Sequence, residues 1–588
     1  MRSKILVLAG VVSDGFQGNP VAKQLADSNT KFFGDVLGCP PAELQNRFRF
    51  DTSEEFSPFT TRDSYSKRAV CEAGVGPILA YEAGLAGFDA EFAQISDFFN
   101  FSADGVTVSE LWDDVLDDAE IVALSTTLMV STLMLADILS YLSELEKIVI
   151  VGGVLVNKLH DQILATLPFD YCLKTEAEGR FSQILRRISG QNPDDSELEQ
   201  IPGLLWRREG RLHISQAAFA LVDFQNTWAL PSHEWVRDRN GIYQYESVRG
   251  CPFRCEFCDY PFLMGNDKFR MKSADTIFSE WTQLAELGVR YIDAFDSLFT
   301  VPKKRAIRLA QLLIESGLNR VLSWGCFARS TELADPSFVE LLKESGCRFV
   351  FLGIESGSQE ILNAMHKLTT IEDNAKAIKN CNEIEIYSSS GILVGFPGET
   401  AETISRTKSF LSEFATPSVH LFVWVPDVTA HSPVPIMQPA QMERYGIAAT
   451  SAQSSYSAEF WNRPVNFELR TYWSHRTMNQ AEALEHAASI SAQMRTDQIR
   501  AEDFSFAPYR ENIQHPRLLA SYMSCKSQMA FSKGMKSLFN DFVNDLPKAE
   551  IKKRVPAWLK RSGVRERSAL TMGVVSEPSP ENRIFALD

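Results

Sequence analysis

Hydrophobic residues in the first third of the chain occur in short runs that alternate with amphipathic stretches. The runs predict five buried strands, at 4–8, 90–95, 121–125, 147–153 and 171–174. A short helix and turn are predicted between the first two strands, from Gly76 to Gly87. Strands that alternate with helices indicate a parallel sheet covered on both faces. Residues 1–190 are therefore predicted to form one α/β domain.

The alternation starts again at residue 242 and is more regular there. Six candidate strands with helical patterns between them lie at 243–249, 289–296, 321–328, 348–355, 387–395 and 419–425. Six repeats of strand and helix predict a partial (β/α)6 barrel over 242–427. In barrels of this kind the active site lies at the carboxyl ends of the strands.

Two parts of the chain lack this periodicity. Residues 191–241 are predicted to be a connector, with a hairpin near 202–210 that we expect to pack between the two domains. Residues 428–588 are predicted to be a mostly helical region associated with the substrate, and a helix is expected over 479–494.

Composition narrows the class of protein. The 588 residues are 45% hydrophobic and 23% charged, as in a globular protein, and the net charge of −16 argues against a general nucleic-acid binder. The apolar runs at 5–12 and 121–139 are too short, or too often interrupted by polar residues, to predict a signal peptide or a membrane-spanning helix. Seven of the ten cysteines are scattered singly, which fits free thiols in a reducing cytoplasm.

The other three cysteines stand together as C-x3-C-x2-C. They are Cys251, Cys255 and Cys258, and Phe257 precedes the third. Three thiolates on one loop can hold three irons of a [4Fe–4S] cluster and leave the fourth iron open to a small molecule. A zinc site is the alternative, but it needs four nitrogen or sulfur ligands, and the sequence offers no second pair at a suitable spacing.

This loop resembles that of the radical S-adenosylmethionine (SAM) enzymes. The resemblance implies a [4Fe–4S] cluster and SAM as cofactors, the three cysteines as catalytic cluster ligands, and an electron donor such as flavodoxin or ferredoxin as a partner. It also implies SAM contacts at the ends of the predicted barrel strands. These are Asp296 and Ser297 for the amino group, Arg329 for the carboxylate, Glu355 for the ribose, and Gly395, Glu399 and Phe257 near the adenine.

The first domain resembles the flavodoxin-like (Rossmann-type) cobalamin-binding domain that precedes the barrel in one class of radical SAM enzymes. The resemblance rests on glycine, hydroxyl and acidic residues near the predicted strand ends, and it implies cobalamin as a third cofactor. These residues are Gly76, Ser125, Thr126, Thr127, Gly152, Gly153, Glu176 and Gly179. The segment Asp14–Gly18 lacks the histidine of the D-x-H-x-x-G motif, so the lower face of the corrin is expected to be held in another way. A flavodoxin-like domain that binds no cofactor is the alternative.

Together these resemblances imply a cobalamin-dependent radical SAM methyltransferase of the cytoplasm. Such an enzyme transfers a methyl group to an unactivated carbon or phosphorus of a natural-product or peptide substrate, by way of methylcobalamin and a 5′-deoxyadenosyl radical. A cyclase, oxidase or rearrangement enzyme without methyl transfer stays open, as does a non-catalytic cobalamin or SAM sensor. A methylthiotransferase is a further alternative, and it would need Cys39, Cys71 and Cys172 as ligands of a second cluster. For His475, a substrate contact and a structural role both stay open.

Overall fold

The computed structural model describes residues 3–9, 75–231, 242–450 and 472–501, with short gaps. The gaps are 103–104, 109–111, 128–131, 160, 175, 190–192, 219–220, 226, 228, 264–267, 415–417, 425, 427–431, 480–481, 484–485, 488, 491–492 and 494–499. Predictions on Asp14–Gly18, Cys39 and Cys71 therefore lie outside the described residues, as does most of the C-terminal region.

The first half of the described chain contains nine strands and eight helices. The strands are β1 (Lys4–Ala9), β2 (Asp89–Gln94), β3 (Phe99–Ser102), β4 (Gly105–Val108), β5 (Ile121–Ser125), β6 (Ile148–Gly152), β7 (Tyr171–Leu173), β8 (Leu204–Arg208) and β9 (Arg211–Ile214). The helices are α1 (Val75–Leu85), α2 (Ile95–Phe98), α3 (Asp113–Asp118), α4 (Thr132–Ser143), α5 (Val154–Lys158), α6 (Asp161–Leu164), α7 (Phe181–Ile188) and α8 (Asp195–Leu198). All five strands predicted for this half are present.

Seven of these strands form one sheet, in the order β2-β1-β5-β6-β7-β8-β9, and β3 and β4 form a separate hairpin. The first five strands of the sheet are parallel, and their order is that of flavodoxin-like folds. The strand order reverses between β1 and β5. In open α/β sheets the crevice at the carboxyl ends of the strands, at such a reversal, is the usual ligand site.

The hairpin predicted near 202–210 is formed by β8 and β9, and it turns at Glu209 and Gly210, which both have positive φ. Its strand β8 pairs antiparallel with β7, so the hairpin extends the first sheet. It also buries Leu204, Leu205 and Trp206 in the core of that sheet. The structure thus attaches part of the predicted connector to the first domain, because its apolar residues complete the sheet edge. The predicted domain limits stay a prediction.

The second half contains a seven-stranded parallel sheet and its covering helices. Six of the sheet strands are β10 (Ile242–Tyr245), β13 (Tyr291–Ala294), β14 (Ser323–Ala328), β15 (Cys347–Glu355), β16 (Tyr387–Val394) and β17 (Ser418–Val423). Two short strands, β11 (Val248–Arg249) and β12 (Arg270–Met271), form a separate antiparallel pair. The helices are α9 (Ala274–Glu286), α10 (Lys303–Ser316), α11 (Ser330–Leu333), α12 (Pro336–Glu344), α13 (Gln359–Ala364), α14 (Ile371–Glu383) and α15 (Ala401–Glu413).

The sheet order is β10-β13-β14-β15-β16-β17, and the strand Arg500–Ala501 pairs with β17 at the far edge. The two edge strands do not pair with each other, as expected for a partial barrel. All six predicted strands are present. The first was predicted as 243–249, and this is wrong in length, because Val248 and Arg249 leave the sheet and pair with Met271 and Arg270 of β12.

Helix starts follow from capping residues. The side chains of Ser273, Thr370 and Thr400 accept the backbone N–H groups of Thr276, Asp373 and Thr403, respectively, at the starts of α9, α14 and α15. These bonds satisfy donors that the first helical turn leaves free. These helices pack against the outer face of the sheet and do not cover its inner face.

The two faces of the second sheet differ in composition. Alternating side chains such as Ile292, Trp324 and Val350 pack against the helices in one large apolar core. Phe349, on the other face, belongs to a separate cluster with Phe351 and Tyr387. Because side chains alternate across a strand, the cluster of Phe349, Phe351 and Tyr387 lies on the inner face of the partial barrel.

The C-terminal part that the structure describes lies against the end of β16. It includes α16 (Pro439–Tyr445) and a three-stranded antiparallel sheet of β18 (Ala448–Thr450), β19 (Tyr472–His475) and β20 (Met478–Asn479). The described residues between 482 and 493 are helical. None of the helices in the described ranges has the length and apolar content needed to cross a bilayer.

Candidate functional site

A cavity of about 670 Å³ lies where the carboxyl ends of the two sheets face each other. Thirteen of the predicted site residues line it, contributed by both halves of the chain. They are Cys251, Cys255, Cys258, Phe257, Asp296, Ser297, Arg329, Glu355, Ser125, Thr127, Gly152, Gly153 and Glu176. The other predicted residues, Gly76, Thr126, Gly179, Gly395 and Glu399, do not line it. The cavity has the size of ordinary cofactor and ligand sites.

The cysteine loop follows β11 and is fixed by backbone contacts on both sides. Gly250 has φ +77°, and a Cβ atom there would lie 2.5 Å from the carbonyl oxygen of Lys268, so the turn into the loop requires glycine. In the middle of the loop, the N–H of Glu256 donates to the carbonyl of Met365 (2.9 Å). Its own carbonyl accepts the N–H of Ile436 (3.0 Å). The loop is therefore held in place by the barrel and by the C-terminal part.

The three thiols lie in the cavity and are largely removed from water. Burial raises the pKa of Cys251 and of Cys255, and it raises the pKa of Cys258 to about 12. Backbone N–H groups of Phe253 and Tyr260 donate to Cys251 and Cys258, respectively, and oppose this rise. Thiols in such a setting ionise when positive metal ions neutralise them, and the irons of a [4Fe–4S] cluster do so.

In a cubane cluster each of the three thiolates binds a different iron. Within the described ranges, no group of three or more His, Cys, Asp or Glu side chains has the geometry to hold one metal ion. Three cysteines on one loop, facing one cavity, fit the donor set of the cluster.

Asp296 has a role that the sequence does not predict. Its carboxylate accepts the N–H of Ser247 (2.6 Å), the N–H of Val248 (2.9 Å) and the hydroxyl of Ser247, and its side chain is completely buried. The resemblance implies a contact between Asp296 and the SAM amino group, whereas these bonds join its carboxylate to Ser247 and Val248. Asp296 instead fixes the segment that leads into the cysteine loop, with the guanidinium of Arg305 nearby.

Ser297, the next residue, donates its hydroxyl to the carbonyl of Gly250 (3.0 Å). Tyr260 lines the cavity and bonds to Ser297. These contacts tie the end of β13 to both ends of the cysteine loop.

Arg329 follows β14 and points toward the loop. Its guanidinium carbon lies 3.8 Å from the ring centroid of Phe253, and one terminal nitrogen donates to the carbonyls of Lys367 and Leu368 (3.0 Å for Leu368). Its Nε is buried and has no hydrogen-bond partner. A guanidinium that lines the cavity and keeps one donor without a partner is compatible with the carboxylate contact that the resemblance implies.

Glu355 ends β15 and pairs with Lys367, a partner that no sequence pattern indicates. Their side chains are 2.6 Å apart and largely buried, and Glu355 has a φ of +63°, which is unusual for a residue with a side chain. A Cβ atom at Gly353 would lie 2.6 Å from the carboxylate and 2.7 Å from the ammonium group. Glycine at 353 therefore leaves room for the pair at the cavity edge.

Phe257 packs edge-to-face against Phe396 at the end of β16, with centroids 6.4 Å apart. This places it where the sequence predicts the adenine. Gly395 and Glu399 lie behind that point. The Glu399 carboxylate accepts the N–H of Gly395 (2.6 Å). Gly395 has φ +86°, and a Cβ atom there would lie 2.8 Å from the ring of Trp473. Both shape the end of β16 from outside the cavity.

In the first sheet, the loops after β5 and β6 close on each other. The N–H and hydroxyl of Thr126 donate to the carbonyl of Gly152 at 2.7 and 2.8 Å, and Thr126 is fully buried. A Cβ at Gly153 (φ +107°) would lie 2.7 Å from the nitrogen of Thr127. Glycine at 153 therefore allows the two loops to meet. Ser125 and Thr127 present their hydroxyls, 3.1 Å apart, at the cavity.

Gly76 and Gly179 are structural. Gly76 is buried within α1, and the N–H of Gly179 donates to the buried carboxylate of Glu82 on that helix (2.9 Å). Neither glycine lines the cavity.

Glu176 is held by arginines from the other half of the chain. Arg249, two residues before Cys251, lies 3.0 Å from Glu176 and also pairs with Glu178, and Arg270 pairs with Glu176. The guanidinium of Arg249 stacks 4.6 Å from the ring centroid of Phe224. We call Glu176, Glu178, Arg249 and Arg270 the interdomain ion network. No local pattern reveals it, because its partners are 71 to 94 residues apart.

Two further sequence hypotheses have an answer in the structure. His475 is buried outside the cavity lining, where its Nε2 lies 3.2 Å from the carbonyl of Gly395 and its ring stacks on Trp473, so its role is structural. Cys172 lies within β7 and is fully buried in the core of the first sheet. It cannot serve as a ligand at the cavity.

Known proteins resemble the chain over both halves. Residues 245–411 match the radical SAM superfamily model. An uncharacterized methyltransferase of Pyrococcus horikoshii is 26% identical over 59% of this chain and 75% of its own length. An anaerobic magnesium-protoporphyrin IX monomethyl ester cyclase of Cereibacter sphaeroides is 25% identical over 44% of this chain and 43% of its own length. The chain thus spans less than half of that second relative.

Among solved structures, the radical SAM methyltransferase TsrM of Kitasatospora setae, with cobalamin and a [4Fe–4S] cluster bound, matches with a TM-score of 0.57 at 16% identity. The match covers 78% of this chain and 96% of that one. At this identity the likeness concerns the fold. It confirms the predicted order of a flavodoxin-like domain followed by a partial barrel.

Proposed function

From the premise that residues 245–411 form a radical SAM domain, we propose that the chain is a cobalamin-dependent radical SAM methyltransferase. The observation that carries the proposal is one shared cavity. Cys251, Cys255 and Cys258 line it from the barrel side, and Ser125 and Gly153 line it from the carboxyl ends of β5 and β6 in the first sheet. If the cysteine loop holds the cluster and the first sheet holds the corrin, the two cofactors face each other across one cavity and can serve a single reaction.

The roles of the chain's own residues follow from the geometry. The three thiols would hold the cluster, and Arg329, with its spare buried donor, would bind the SAM carboxylate. Glu355, at the end of β15, would bind the ribose, and Lys367 holds its carboxylate in position. On the opposite wall, the hydroxyls of Ser125 and Thr127 would bond the side amides of the corrin.

When bound, the cluster supplies the electron that cleaves SAM, and the corrin carries the methyl group. The protein supplies orientation and the exclusion of water. The cavity walls are largely apolar, and the interdomain ion network joins the two halves beside them. Both features keep reactive groups away from solvent.

Product analysis under anaerobic conditions tests the proposal. The full chain is reconstituted with iron, sulfide and hydroxocobalamin, and then incubated with SAM, dithionite and candidate substrates. Methyl transfer with radical activation gives S-adenosylhomocysteine and 5′-deoxyadenosine in comparable amounts. Formation of neither product, in protein that has taken up iron and corrin, would overturn the proposal.

A cobalamin-dependent cyclase is the second candidate, because one similar relative is a cyclase. The same assay separates the two functions. 5′-Deoxyadenosine without S-adenosylhomocysteine supports cyclisation or another rearrangement, and it contradicts methyl transfer.

A further inference from the structure

Three phenylalanine rings form one wall of the cavity on the barrel side. Phe295 follows β13, Phe327 lies in β14 and Phe351 lies in β15, and all three line the cavity. The centroids of Phe295 and Phe327 are 5.7 Å apart at an interplanar angle of 79°, and those of Phe327 and Phe351 are 5.0 Å apart. The rings, which we call the aromatic wall, thus form a continuous column across three neighbouring strands.

The aromatic wall continues into the closed interior of the barrel. Phe351 packs against Phe349, which stacks on Tyr387 at 6.2 Å. A Cβ at Gly391 would lie 2.9 Å from the ring of Phe351, so glycine there makes room for the ring. Phe349 is 2% exposed, whereas Phe295 is 41% exposed. The column is therefore sealed at its inner end and open where it meets the cavity.

The open ring of Phe295 leaves apolar area in the cavity that an apolar group can cover. It is the one phenylalanine with such exposure among the described side chains. Covering it removes apolar area from water. A second aromatic ring gains more than an aliphatic group of equal size, because ring pairs are stabilised beyond the area that they bury.

The carboxylates near the aromatic wall already have partners, and Arg329, whose Nε has none, is the residue that we assign to the SAM carboxylate. Glu355 is paired with Lys367, and Asp296 accepts three hydrogen bonds from Ser247 and Val248. A charged substituent placed on the wall would find no free counter-charge in these groups. This favours an uncharged ring.

The adenine of SAM is the competing occupant, but its predicted contacts lie elsewhere. Phe257 and Phe396 meet at the end of β16. The aromatic wall spans β13, β14 and β15, and its exposed end is at β13. Phe257 and the aromatic wall thus line separate parts of the same cavity.

We propose that the aromatic wall is a substrate subsite for a flat, uncharged aromatic ring, with Phe295 as the stacking residue. This proposal deepens the proposed function and rests on it, because only that function makes the bound molecule a substrate. The subsite itself is defined by the cavity and can be measured without turnover.

Equilibrium dialysis of the full, reconstituted chain tests the subsite with 2-naphthol and decahydro-2-naphthol as probes. The two share a carbon skeleton and a hydroxyl group, and only the first is aromatic. We expect 2-naphthol to bind about fivefold more tightly, in keeping with the extra stabilisation of a ring pair. We also expect saturating SAM to leave its binding in place.

Phe295→Leu keeps an apolar side chain and removes the ring, so the preference should fall below about twofold. Phe295→Trp enlarges the ring and should keep or increase the preference, which preserves the test if the leucine variant does not fold. Phe278→Leu is the matched control, since Phe278 is a partly buried phenylalanine of α9 outside the cavity lining, and its loss should leave the preference unchanged.

Equal binding of the two probes, no binding of either, or displacement of 2-naphthol by SAM would overturn the subsite. An unchanged preference in Phe295→Leu would also do so. These outcomes are distinct from failure of the proposed function. A chain that binds 2-naphthol selectively but does not cleave SAM retains the subsite and loses the enzymatic role, and the converse result loses only the subsite.

Discussion

Glu176, beyond the carboxyl end of β7, and Arg249, two residues before the first cluster cysteine, are joined by an ion pair of 3.0 Å between side chains that are 1% and 6% exposed. The pair crosses from one half of the chain to the other. Because Arg249 also pairs with Glu178, it neutralises two buried carboxylates at once. Buried ion pairs therefore link the start of the cysteine loop to the segment that follows β7 of the first sheet.

Replacing Arg249 by methionine should destabilise the protein strongly. The variant keeps an apolar side chain of similar length but leaves Glu178 buried without its main counter-charge. Breaking a buried pair in this way costs about 3–5 kcal/mol. Urea denaturation, followed by circular dichroism, measures the change in the free energy of unfolding.

Arg308→Met is the matched control for that variant. Arg308 pairs with Asp275 at 3.2 Å, but the two side chains are 49% and 71% exposed. A surface pair of this kind contributes about 0–1 kcal/mol. If the two variants lost the same stability, the network would not join the two halves as described.

The periodic parts of the chain could be predicted because each strand carries its own signal. β5 reads Ile-Val-Ala-Leu-Ser and is buried at every position, and barrel strands such as β15 (Cys347–Glu355) carry a similar apolar run. The cysteine loop could be predicted for a similar reason, since three ligands within eight residues are a local pattern. Its exact neighbours could not, because Met365 and Ile436 approach it only in the folded chain.

Side-chain roles at the site were less predictable for a physical reason. Asp296 stands at a strand end, where the sequence suggests a ligand contact. Its partners Ser247 and Val248, however, are 49 and 48 residues away along the chain, and they saturate its carboxylate. Lys367 was not predicted, because nothing in its local sequence indicates that it meets Glu355. The sequence places a residue at the cavity, and tertiary contacts decide whether it remains free to bind.

Replacing Cys255 by alanine should abolish the cluster. The variant leaves two thiolates for three irons, so we expect reconstituted protein to fall well below the about four irons per chain of a complete cluster. Iron and sulfide analysis, together with the electron paramagnetic resonance signal of the reduced protein, provides the measurement. An active variant with a full complement of iron would contradict the assignment.

Cys381→Ala is the control for that experiment. Cys381 lies on α14 in the buried core of the barrel and does not line the cavity. Its loss should lower stability modestly through a small packing defect and leave the iron content unchanged. Loss of iron in both variants would indicate a general folding defect instead of a ligand role.

Glu399 should make stability depend on pH. Burial raises the pKa of Glu399 to about 8 from its ordinary 4.5. Between these values the folded protein retains a proton that the unfolded chain releases, so stability falls as the pH rises through the interval. Glu399→Gln cannot ionise and keeps an oxygen that can accept the N–H of Gly395. The variant should therefore gain stability relative to the original protein, by up to about 3 kcal/mol between pH 6 and pH 8.

Denaturation at the two pH values measures this difference. Glu402→Gln is the control, since Glu402 lies on the adjoining helix α15 with its carboxylate 75% exposed. Its substitution should change stability equally at both pH values. A constant difference for Glu399→Gln as well would mean that Glu399 is ionised throughout.

Replacing Gly153 by alanine should damage the edge of the first sheet that faces the cavity. Gly153 has φ +107°, and the new Cβ would lie 2.7 Å from the backbone nitrogen of Thr127 and 2.8 Å from that of Thr126. Backbone strain of this kind costs about 1–3 kcal/mol, and relief would part the loops after β5 and β6. We expect weaker uptake of hydroxocobalamin, measured by absorbance after desalting.

Gly84→Ala, on α1, is the control. The new Cβ there meets nothing within 4 Å, so corrin uptake should be unchanged and stability should be equal or up to about 1 kcal/mol higher. Unimpaired corrin binding in Gly153→Ala would remove these loops from the cofactor site.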